Sequence, residues 1–305
     1  MAYKLNKDIY QNVTDSVIAS IENGAGEWHC PWARGAQAMP VNAVTGHKYR
    51  GINVIMLWIA AGENEWPNEW ASYKQWQSKG AQVCKGEKGT TIAFYKSLQF
   101  DRKNDHGDVV MGDNGEPRVN TVMMARASTV FNAAQVEGYE PVAAPDQPMF
   151  ERIGNAETFV ASTNATIKHG GERAYYRPSD DVIQMPNPES FTGTDTSTAQ
   201  EAYYGTVLHE LTHWTSQDKR CARKLGSRFG SQAYAAEELI AELGAAFLCA
   251  GLNITNQPRA DHAQYLSHWL NILKGDKRAI FTAAAKAAQA VDYLDSLQTA
   301  TAIAA

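Results

Sequence analysis

Three residues of the segment GTVLHELTHW (205–214) have the types and spacing needed for metal-dependent chemistry. His209 and His213 are four positions apart, and Glu210 follows the first histidine. In an α-helix this spacing puts both imidazoles on one face, where they can bind one tetrahedral metal ion. Glu210 would lie beside them, take a proton from an attacking water and pass it to a leaving group. The pattern predicts a catalytic site for one divalent ion, with Zn²⁺ as the expected metal and Mn²⁺ or another ion as the alternative.

A catalytic zinc site also needs a third protein ligand. Metzincin peptidases place a histidine six residues after the second histidine of the motif, but this chain has Lys219 there, which excludes that class. A glutamate on a following helix is the other common solution. The segment YAAEELIAELGAAFLCA (234–250) is helical by pattern and carries Glu237, Glu238 and Glu242 along an apolar stripe. Glu238 and Glu242 are one helical turn apart, so both can project into the same site.

We expect Glu238 to bind the metal and Glu242 to accept a hydrogen bond from a ligand imidazole. Two alternatives stay open at this point. Glu237 and Glu238 could form a solvated face of their helix, since carboxylates are usually exposed. His262 or His268 could supply the third ligand in place of the glutamate.

Helical patterns surround the motif in the second half of the chain. They cover 151–166, 199–217, 231–251, 259–273 and 276–297, and two short strands around a Pro-Ser-Asp-Asp turn are predicted in 173–186. The first half has an amphipathic helix ending at Gly24, helical patterns at 51–62 and 70–80, and strands at 90–100 and 121–138. A Pro-rich segment separates the halves. We therefore predict an α+β protein with domains at 1–135 and 150–305, joined by a linker at 136–149.

The first half combines positive charge with aromatic side chains. Between 71 and 100, lysines outnumber acidic residues and are interleaved with aromatic residues. Cations that follow phosphates and rings that stack on bases are what a sequence-independent groove for single-stranded nucleic acid needs. Some tryptophans at helical spacing, such as Trp58, are instead expected in the core. The candidate contacts are Tyr49, Arg50, Tyr73, Lys74, Trp76, Lys79, Lys85, Lys88, Tyr95 and Lys96.

Composition limits where such a protein would act. The chain has 44% hydrophobic and 20% charged residues, typical of a soluble globular protein, and its net charge of −5 argues against generic polyanion binding by the whole chain. The cysteines form no Cys-x-x-Cys pair and suggest no disulfide framework, which fits a reducing compartment. We predict no signal peptide and no transmembrane segment, so the expected location is cytoplasmic, with no membrane partner.

Segments from both halves together resemble one known family. They are PVNAVTGHKYRGINVIMLW (40–58), WASYKQWQSKGAQVCKGEKGTTIAFYK (70–96), HELTHW (209–214) and EELIAELGAAFL (237–248). This combination is similar to the ArdC family of plasmid antirestriction proteins, whose N-terminal domain looks shared with IncP-type plasmid primases. His209, Glu210 and His213 match the metallopeptidase motif of that family.

The resemblance implies an N-terminal domain that binds single-stranded DNA, with double-stranded DNA as an alternative ligand. It implies a C-terminal zincin-like metallopeptidase domain, here of the gluzincin type, acting on an unknown protein substrate. It also implies that incoming plasmid DNA is protected from host restriction during conjugation.

Two other functions are compatible with the same residues. The protein could coat DNA while its metal site is structural or vestigial, and replacing Glu210 alone would distinguish that function from peptidase activity. It could also be a nuclease or another metal-dependent hydrolase. The His-Glu-x-x-His pattern argues against a nuclease, because nuclease metal sites are more commonly rich in oxygen ligands.

Overall fold

The computed structural model describes residues 8–23, 38–104, 106–112, 115–141, 147–194, 197–224, 232–255 and 263–304. Helices and strands occur in both halves of the chain, which confirms the α+β class. Among the described residues, no helix has the length and apolar content needed to cross a bilayer.

The N-terminal half contains a mixed sheet and three helices. The helices are α1 (Ile9–Asn23), α2 (Ile52–Asn64) and α3 (Tyr73–Ser78), and the strands are β1 (Val41–Asn42), β2 (Glu69–Ala71), β3 (Gln82–Val83), β4 (Thr90–Asp101), β5 (Val119–Asn132) and β6 (Val136–Glu137). A four-stranded sheet has the order β1-β2-β5-β4, with β1 and β2 parallel and the other pairs antiparallel. Strands β4 and β5 pair along their whole shared length, from Thr90↔Val130 to Asp101↔Val119.

The C-terminal half is mainly helical. Its helices are α4 (Met149–Ser162), α5 (Ala199–Trp214), α6 (Gln232–Leu252), α7 (Ala263–Gly275) and α8 (Ala279–Ala304), and its strands are β7 (Thr166–His169), β8 (Tyr175–Arg177) and β9 (Val182–Met185). The three strands form one sheet in the order β7-β9-β8, with β7 parallel and β8 antiparallel to the central strand. The two short strands expected around the Pro-Ser-Asp-Asp turn are therefore β8 and β9.

The predicted linker is partly ordered as a strand. Val136 and Glu137 form β6, which pairs antiparallel with Val83 and Gln82 of β3. Residues 142–146 lie outside the described part of the chain, and α4 begins at Met149. The N-terminal fold therefore extends past residue 135 by at least this strand, because backbone pairing with β3 requires it.

Helix α6 lies between two hydrophobic clusters and contributes to both. In the first cluster, buried residues of α1 and α2 from the N-terminal half pack with α6, α7 and α8. The Trp58 ring of α2 lies 5.7 Å from the Phe247 ring of α6, centroid to centroid. In the second cluster, Leu248 of α6 packs with α4, α5, α8 and the three-stranded sheet. Each large apolar side chain buried in this way contributes about 1.5–3 kcal/mol, so the two halves stabilise each other through α6.

Candidate functional site

Helix α5, which carries the His-Glu-x-x-His motif, begins at a well-formed N-cap. The Thr198 hydroxyl accepts a hydrogen bond from the backbone N–H of Glu201, and the Glu201 carboxylate accepts one from the backbone N–H of Thr198. This reciprocal pair satisfies helix N–H groups that would otherwise have no partner. The helix then runs unbroken through the motif to Trp214, so both histidines have helical backbone geometry.

Close packing of α5 against α6 brings the motif to the glutamates. Gly244 of α6 faces Thr212 of α5 so closely that a Cβ at Gly244 would lie 2.5 Å from the threonine Cγ2 and 2.7 Å from its Oγ1. Glycine is therefore required at this position for the two helix backbones to approach. The same approach places the carboxylates of α6 against the imidazoles of α5.

His209, His213 and Glu238 form one cluster of potential metal ligands, with one ligand atom from each within 4.8 Å of the others. The Nε2 atom of His209 lies 3.6 Å from one carboxylate oxygen of Glu238, and Nε2 of His213 lies 3.6 Å from the other. Ligand atoms about 2.0–2.1 Å from a tetrahedral ion lie roughly 3.3 Å from one another, so these spacings fit a metal with only small adjustments. Two imidazole nitrogens and a carboxylate are a donor set that suits zinc and similar divalent ions.

The far nitrogen of each imidazole faces a further carboxylate. His209 Nδ1 lies 2.9 Å from Glu242 Oε1, where we expected Glu242 to contact a ligand imidazole. His213 Nδ1 lies 3.3 Å from Glu237 Oε1, a contact that the sequence did not predict. Such contacts fix the tautomer and orientation of a metal-binding imidazole by engaging the nitrogen that does not bind the metal.

The alternative that Glu237 and Glu238 form a solvated face is wrong. Glu237 is 5% exposed and Glu238 is 9% exposed. The role of Glu237 depends on a tertiary contact, because the buried Arg223 guanidinium binds its carboxylate at 2.8 Å. Among the described residues the ligand cluster does not include His268, which lies on α7, and His262 lies outside the described residues.

The buried charges of the cluster compensate one another. Burial lowers the pKa of His213, but hydrogen bonds with Glu237 and Glu238 outweigh it and raise the pKa to about 10. Burial raises the pKa of Glu238, yet hydrogen bonds with His209 and His213 hold it well below its ordinary value. The carboxylates therefore favour a positive charge at His213, and a divalent ion bound to the imidazoles would supply positive charge in place of the proton.

Glu210 has the environment expected of a general base beside these ligands. Its side chain is buried, with 2% of the residue exposed. It lies near enough to His213 to contribute to that residue's raised pKa through its charge. A carboxylate in this position could serve as the acceptor of a proton from an attacking water.

Gly244 provides a direct test of the helix contact. We expect Gly244→Ala to lower the free energy of unfolding by about 1–3 kcal/mol, since the added methyl collides with Thr212 and forces the helices apart. The same displacement should weaken metal binding, because Glu238 and Glu242 move away from the histidines. Gly251→Ala is the matched control on α6, where an added Cβ meets nothing within 4 Å. Thermal unfolding and metal titration of both variants check this, and unchanged stability in Gly244→Ala would contradict it.

The lysines predicted to contact nucleic acid lie on the surface of the N-terminal half. Lys74, Lys79, Lys85 and Lys88 are exposed, and so is Tyr73, at 42%. The Tyr73 ring is held edge-on to Phe131 at 6.4 Å, and its hydroxyl accepts a hydrogen bond from Gln82. These residues can therefore meet a ligand without any rearrangement of the core.

Trp76, another predicted contact with nucleic acid, is not exposed like these residues. It is fully buried, its Nε1–H donates to the Phe131 carbonyl at 3.0 Å, and its ring packs against Tyr139 at 4.8 Å. This corrects the expectation that Trp76 stacks on a base, since the ring could reach a ligand only if the core opened. The helical pattern of 70–80 was compatible with either role, and only the packing of α3 decides between them.

The remaining candidate contacts have mixed environments. Tyr49 is partly buried and packs against the core, with its hydroxyl near the Asn42 side chain at 3.3 Å. Arg50 is exposed but forms an ion pair with Asp292 of α8. The side chains of Tyr95 and Lys96 lie outside the described part of the chain. Phe94, one of the aromatic residues interleaved with these lysines in the sequence, is 59% exposed on β4 opposite Arg126 of β5.

Comparison with known proteins identifies both halves of the chain. Residues 7–131 match the family described as the N-terminal domain of anti-restriction factor ArdC. Residues 154–286 match the zincin-like metallopeptidase family. These matches confirm an α+β protein with two domains, the second of which is zincin-like.

Relatives that match along nearly the whole chain include an uncharacterised protein and a DNA primase. The protein y4eC of Sinorhizobium fredii, whose function is uncharacterised, is 44% identical over 95% of this chain and 92% of its own length. A DNA primase TraC of Escherichia coli is 38% identical over 95% of this chain but only 27% of its own length. The chain thus corresponds to about a quarter of that primase.

Solved structures of the antirestriction protein ArdC from plasmid R388 have the same fold. The metal-free structure matches with a TM-score of 0.76 and 36% identity, covering 96% of this chain and 98% of that one. The Mn(II)-bound structure matches with a TM-score of 0.71 and 35% identity, covering 95% and 98%. At this identity and coverage, this chain belongs to the ArdC family of antirestriction proteins.

Proposed function

We propose that this protein binds single-stranded DNA through its N-terminal half and protects incoming plasmid DNA from restriction during conjugation, while its C-terminal half is a metal-dependent peptidase. The observation that carries the peptidase part is the convergence of two imidazoles and a carboxylate beside a buried glutamate. The exposed lysines of the N-terminal half and the similarity to DNA primases support the DNA part. Both activities fit a cytoplasmic protein.

His209, His213 and Glu238 are the residues we propose as metal ligands, with Zn²⁺ as the expected ion. Glu242 and Glu237 would hold the two imidazoles by accepting hydrogen bonds at their Nδ1 atoms. The Mn(II)-bound form of the R388 relative supports divalent metal binding by this family. When bound, a divalent metal would supply Lewis-acid polarisation of a peptide carbonyl.

The protein's own residues then account for the proton transfers. The Glu210 carboxylate accepts the proton of the attacking water, which makes the water oxygen a stronger nucleophile. The protonated Glu210 returns that proton to the departing amine, so the carboxylate is regenerated at the end of the cycle. His209 and Glu210 are buried, at 3% and 2% exposed, which limits competing bulk water around these groups.

A second candidate function is supported by the exposed position of the lysines. A protein that coats DNA protects it stoichiometrically, and coating requires only a binding surface. We favour this route for the protection itself, because proteolysis requires a specific protein substrate that no feature of the chain identifies. The peptidase would then act on proteins at the DNA, separately from protection.

The DNA part predicts a charge-dependent loss of binding. Replacing Lys74, Lys79, Lys85 and Lys88 together with glutamine should weaken binding of a labelled single-stranded oligonucleotide of random sequence. The dependence of log K on log salt should also flatten, by about 0.7 for each phosphate that the protein no longer neutralises, because fewer counterions are released. Fluorescence anisotropy over a series of salt concentrations measures both quantities.

The matched control for this variant is Lys168→Gln with Lys286→Gln, two exposed lysines of the C-terminal half. The control should bind DNA as the wild type does. Equal affinities and salt slopes for wild type and the fourfold variant would show that this surface does not bind DNA. Tighter binding of a duplex than of a single strand would replace the proposed ligand with double-stranded DNA.

A further inference from the structure

The segment 215–223, which follows helix α5, folds back onto that helix and ends at the buried Arg223. The Cys221 backbone N–H donates to the Thr215 carbonyl at 2.8 Å, and the Arg223 N–H donates to the Ser216 carbonyl at 2.8 Å. These bonds return the chain to the C-terminal end of α5. The Arg223 side chain is only 3% exposed. A guanidinium buried to this extent costs several kcal/mol unless its charge and its donors are matched.

The donors of Arg223 are matched by both helices of the candidate metal centre. Nη2 donates to the Thr212 carbonyl and Nη1 to the Thr215 hydroxyl, each at 2.7 Å, which ties the arginine to the end of α5. Nη2 and Nε also donate to the two oxygens of Glu237 on α6, at 2.8 and 3.2 Å. This forked contact fixes the plane of the carboxylate as well as its position.

The oxygen of Glu237 that Arg223 binds most closely is also the one that faces the metal-binding face of α5. Glu237 Oε1 lies 3.3 Å from Nδ1 of His213, while Nε2 of the same ring lies 3.6 Å from Glu238. The ring is therefore held between a carboxylate at each nitrogen. Its rotation depends on where Glu237 is held, and Glu237 is held by Arg223.

We propose that Arg223 is a positioning residue for the metal centre, which acts through Glu237 to orient the His213 imidazole. The inference rests on the proposed metal-binding role of His209, His213 and Glu238. The fork sets the Glu237 carboxylate, the carboxylate engages Nδ1, and Nε2 is left directed at the metal position. The guanidinium also offsets the charge of Glu237, so this carboxylate does not add to the negative charge that Glu238 and Glu242 place beside the two histidines.

Cobalt(II) binding separates this role from a structural one, because the visible spectrum of bound Co(II) reports ligand identity and geometry. We expect Arg223→Gln to weaken Co(II) binding by about 10–100-fold, as loss of outer hydrogen bonds to ligand histidines does, and to change the spectrum of the bound ion. Arg223→Lys keeps the charge but not the fork, so it should restore part of the affinity but not the wild-type spectrum. Melting temperatures of the metal-free proteins show separately how far each substitution destabilises the fold.

The matched control is Arg220→Gln in the same segment. Arg220 is equally buried, at 2%, stacks on Trp214 at 3.7 Å and pairs with Asp181. Its guanidinium also donates to the Trp214 carbonyl at the end of α5 and to the Tyr176 hydroxyl of β8, so these bonds reach the helix of the motif without engaging Glu237 or a ligand imidazole. We expect Arg220→Gln to lower the metal-free melting temperature and to leave the Co(II) spectrum unchanged. If Arg223→Gln behaves in the same way as Arg220→Gln, the arginine is structural and the proposal is overturned.

A double variant tests whether Arg223 acts through Glu237. Arg223→Gln combined with Glu237→Gln should weaken Co(II) binding no more than the more damaging single change, since both disrupt the same hydrogen bond to His213. Additive effects would overturn the proposed route. Glu237→Gln also keeps the test available if Arg223→Gln does not fold. Failure of the wild-type protein to bind Co(II) would remove the metal centre and this inference together. If the wild type binds Co(II) and the substitutions change neither the affinity nor the spectrum, only the inference is overturned.

Discussion

Replacing Glu210 with glutamine should abolish peptide-bond cleavage while the protein keeps its metal, its fold and its affinity for DNA. Glutamine has nearly the same size and accepts hydrogen bonds, but it cannot take a proton from water at neutral pH. Loss of a general base lowers the rate by about 10²–10⁴-fold. The buried position of Glu210 leaves little room for solvent to substitute for it. Cleavage of a generic protein substrate, with and without single-stranded DNA, measures the loss.

The controls are metal content and DNA affinity of the same preparation. A Glu210→Gln protein that has lost its metal would say nothing about proton transfer, so the metal measurement comes first. Cleavage at the wild-type rate by a metal-loaded Glu210→Gln protein would contradict the proposed role of this residue.

The same variant separates peptidase action from DNA coating in the cell. Plasmid transfer into a restricting recipient gives the readout. Protection equal to wild type would mean that proteolysis is not how restriction is defeated and that the binding surface carries this function, which is the outcome we favour. Loss of protection with intact DNA binding would exclude coating.

Replacing His213 with alanine should remove most of the metal from the protein. The change deletes a proposed ligand. Metal affinity should therefore fall by more than the loss of about 10–100-fold that follows removal of a hydrogen bond to a ligand histidine. We expect about one divalent ion per wild-type chain. Metal analysis after dialysis gives the stoichiometry. At a metal concentration of 100 times Kd, the free energy of unfolding of the wild type should rise by about 2.7 kcal/mol, and that of the variant should not.

His268→Ala is the matched control for this prediction. His268 was an alternative third ligand, but it lies on α7 and is not part of the described ligand cluster. The variant should keep its metal, whereas Glu238→Ala should lose it. Stoichiometric metal in a protein that lacks both His209 and His213 would refute the assignment, and metal loss in His268→Ala would correct the third ligand only.

The sequence by itself indicated most of the longer elements and the spacing of the candidate metal ligands. Four-residue spacing within a helical pattern is a local property, so the placement of His209 and His213 on one face of α5 followed from periodicity alone. The apolar stripe of 234–250 likewise predicted that α6 is buried, and with it the convergence of Glu238 on the histidines. The strands β8 and β9 followed from short apolar segments around a turn. Strands of two residues, such as β1 and β3, were not predicted because so short a segment has no measurable period.

Only the tertiary structure decided how distant residues share a site or a core. Trp76 had the same sequence context as an exposed stacking ring, but packing of α3 against Phe131 and Tyr139 buries it. Arg223 and Glu237 meet because the chain folds back after α5, which no spacing rule reveals. The joining of both halves through Trp58 and Phe247 is equally non-local. Periodicity determines which face of an element is apolar, whereas the partner of that face depends on the path of the whole chain.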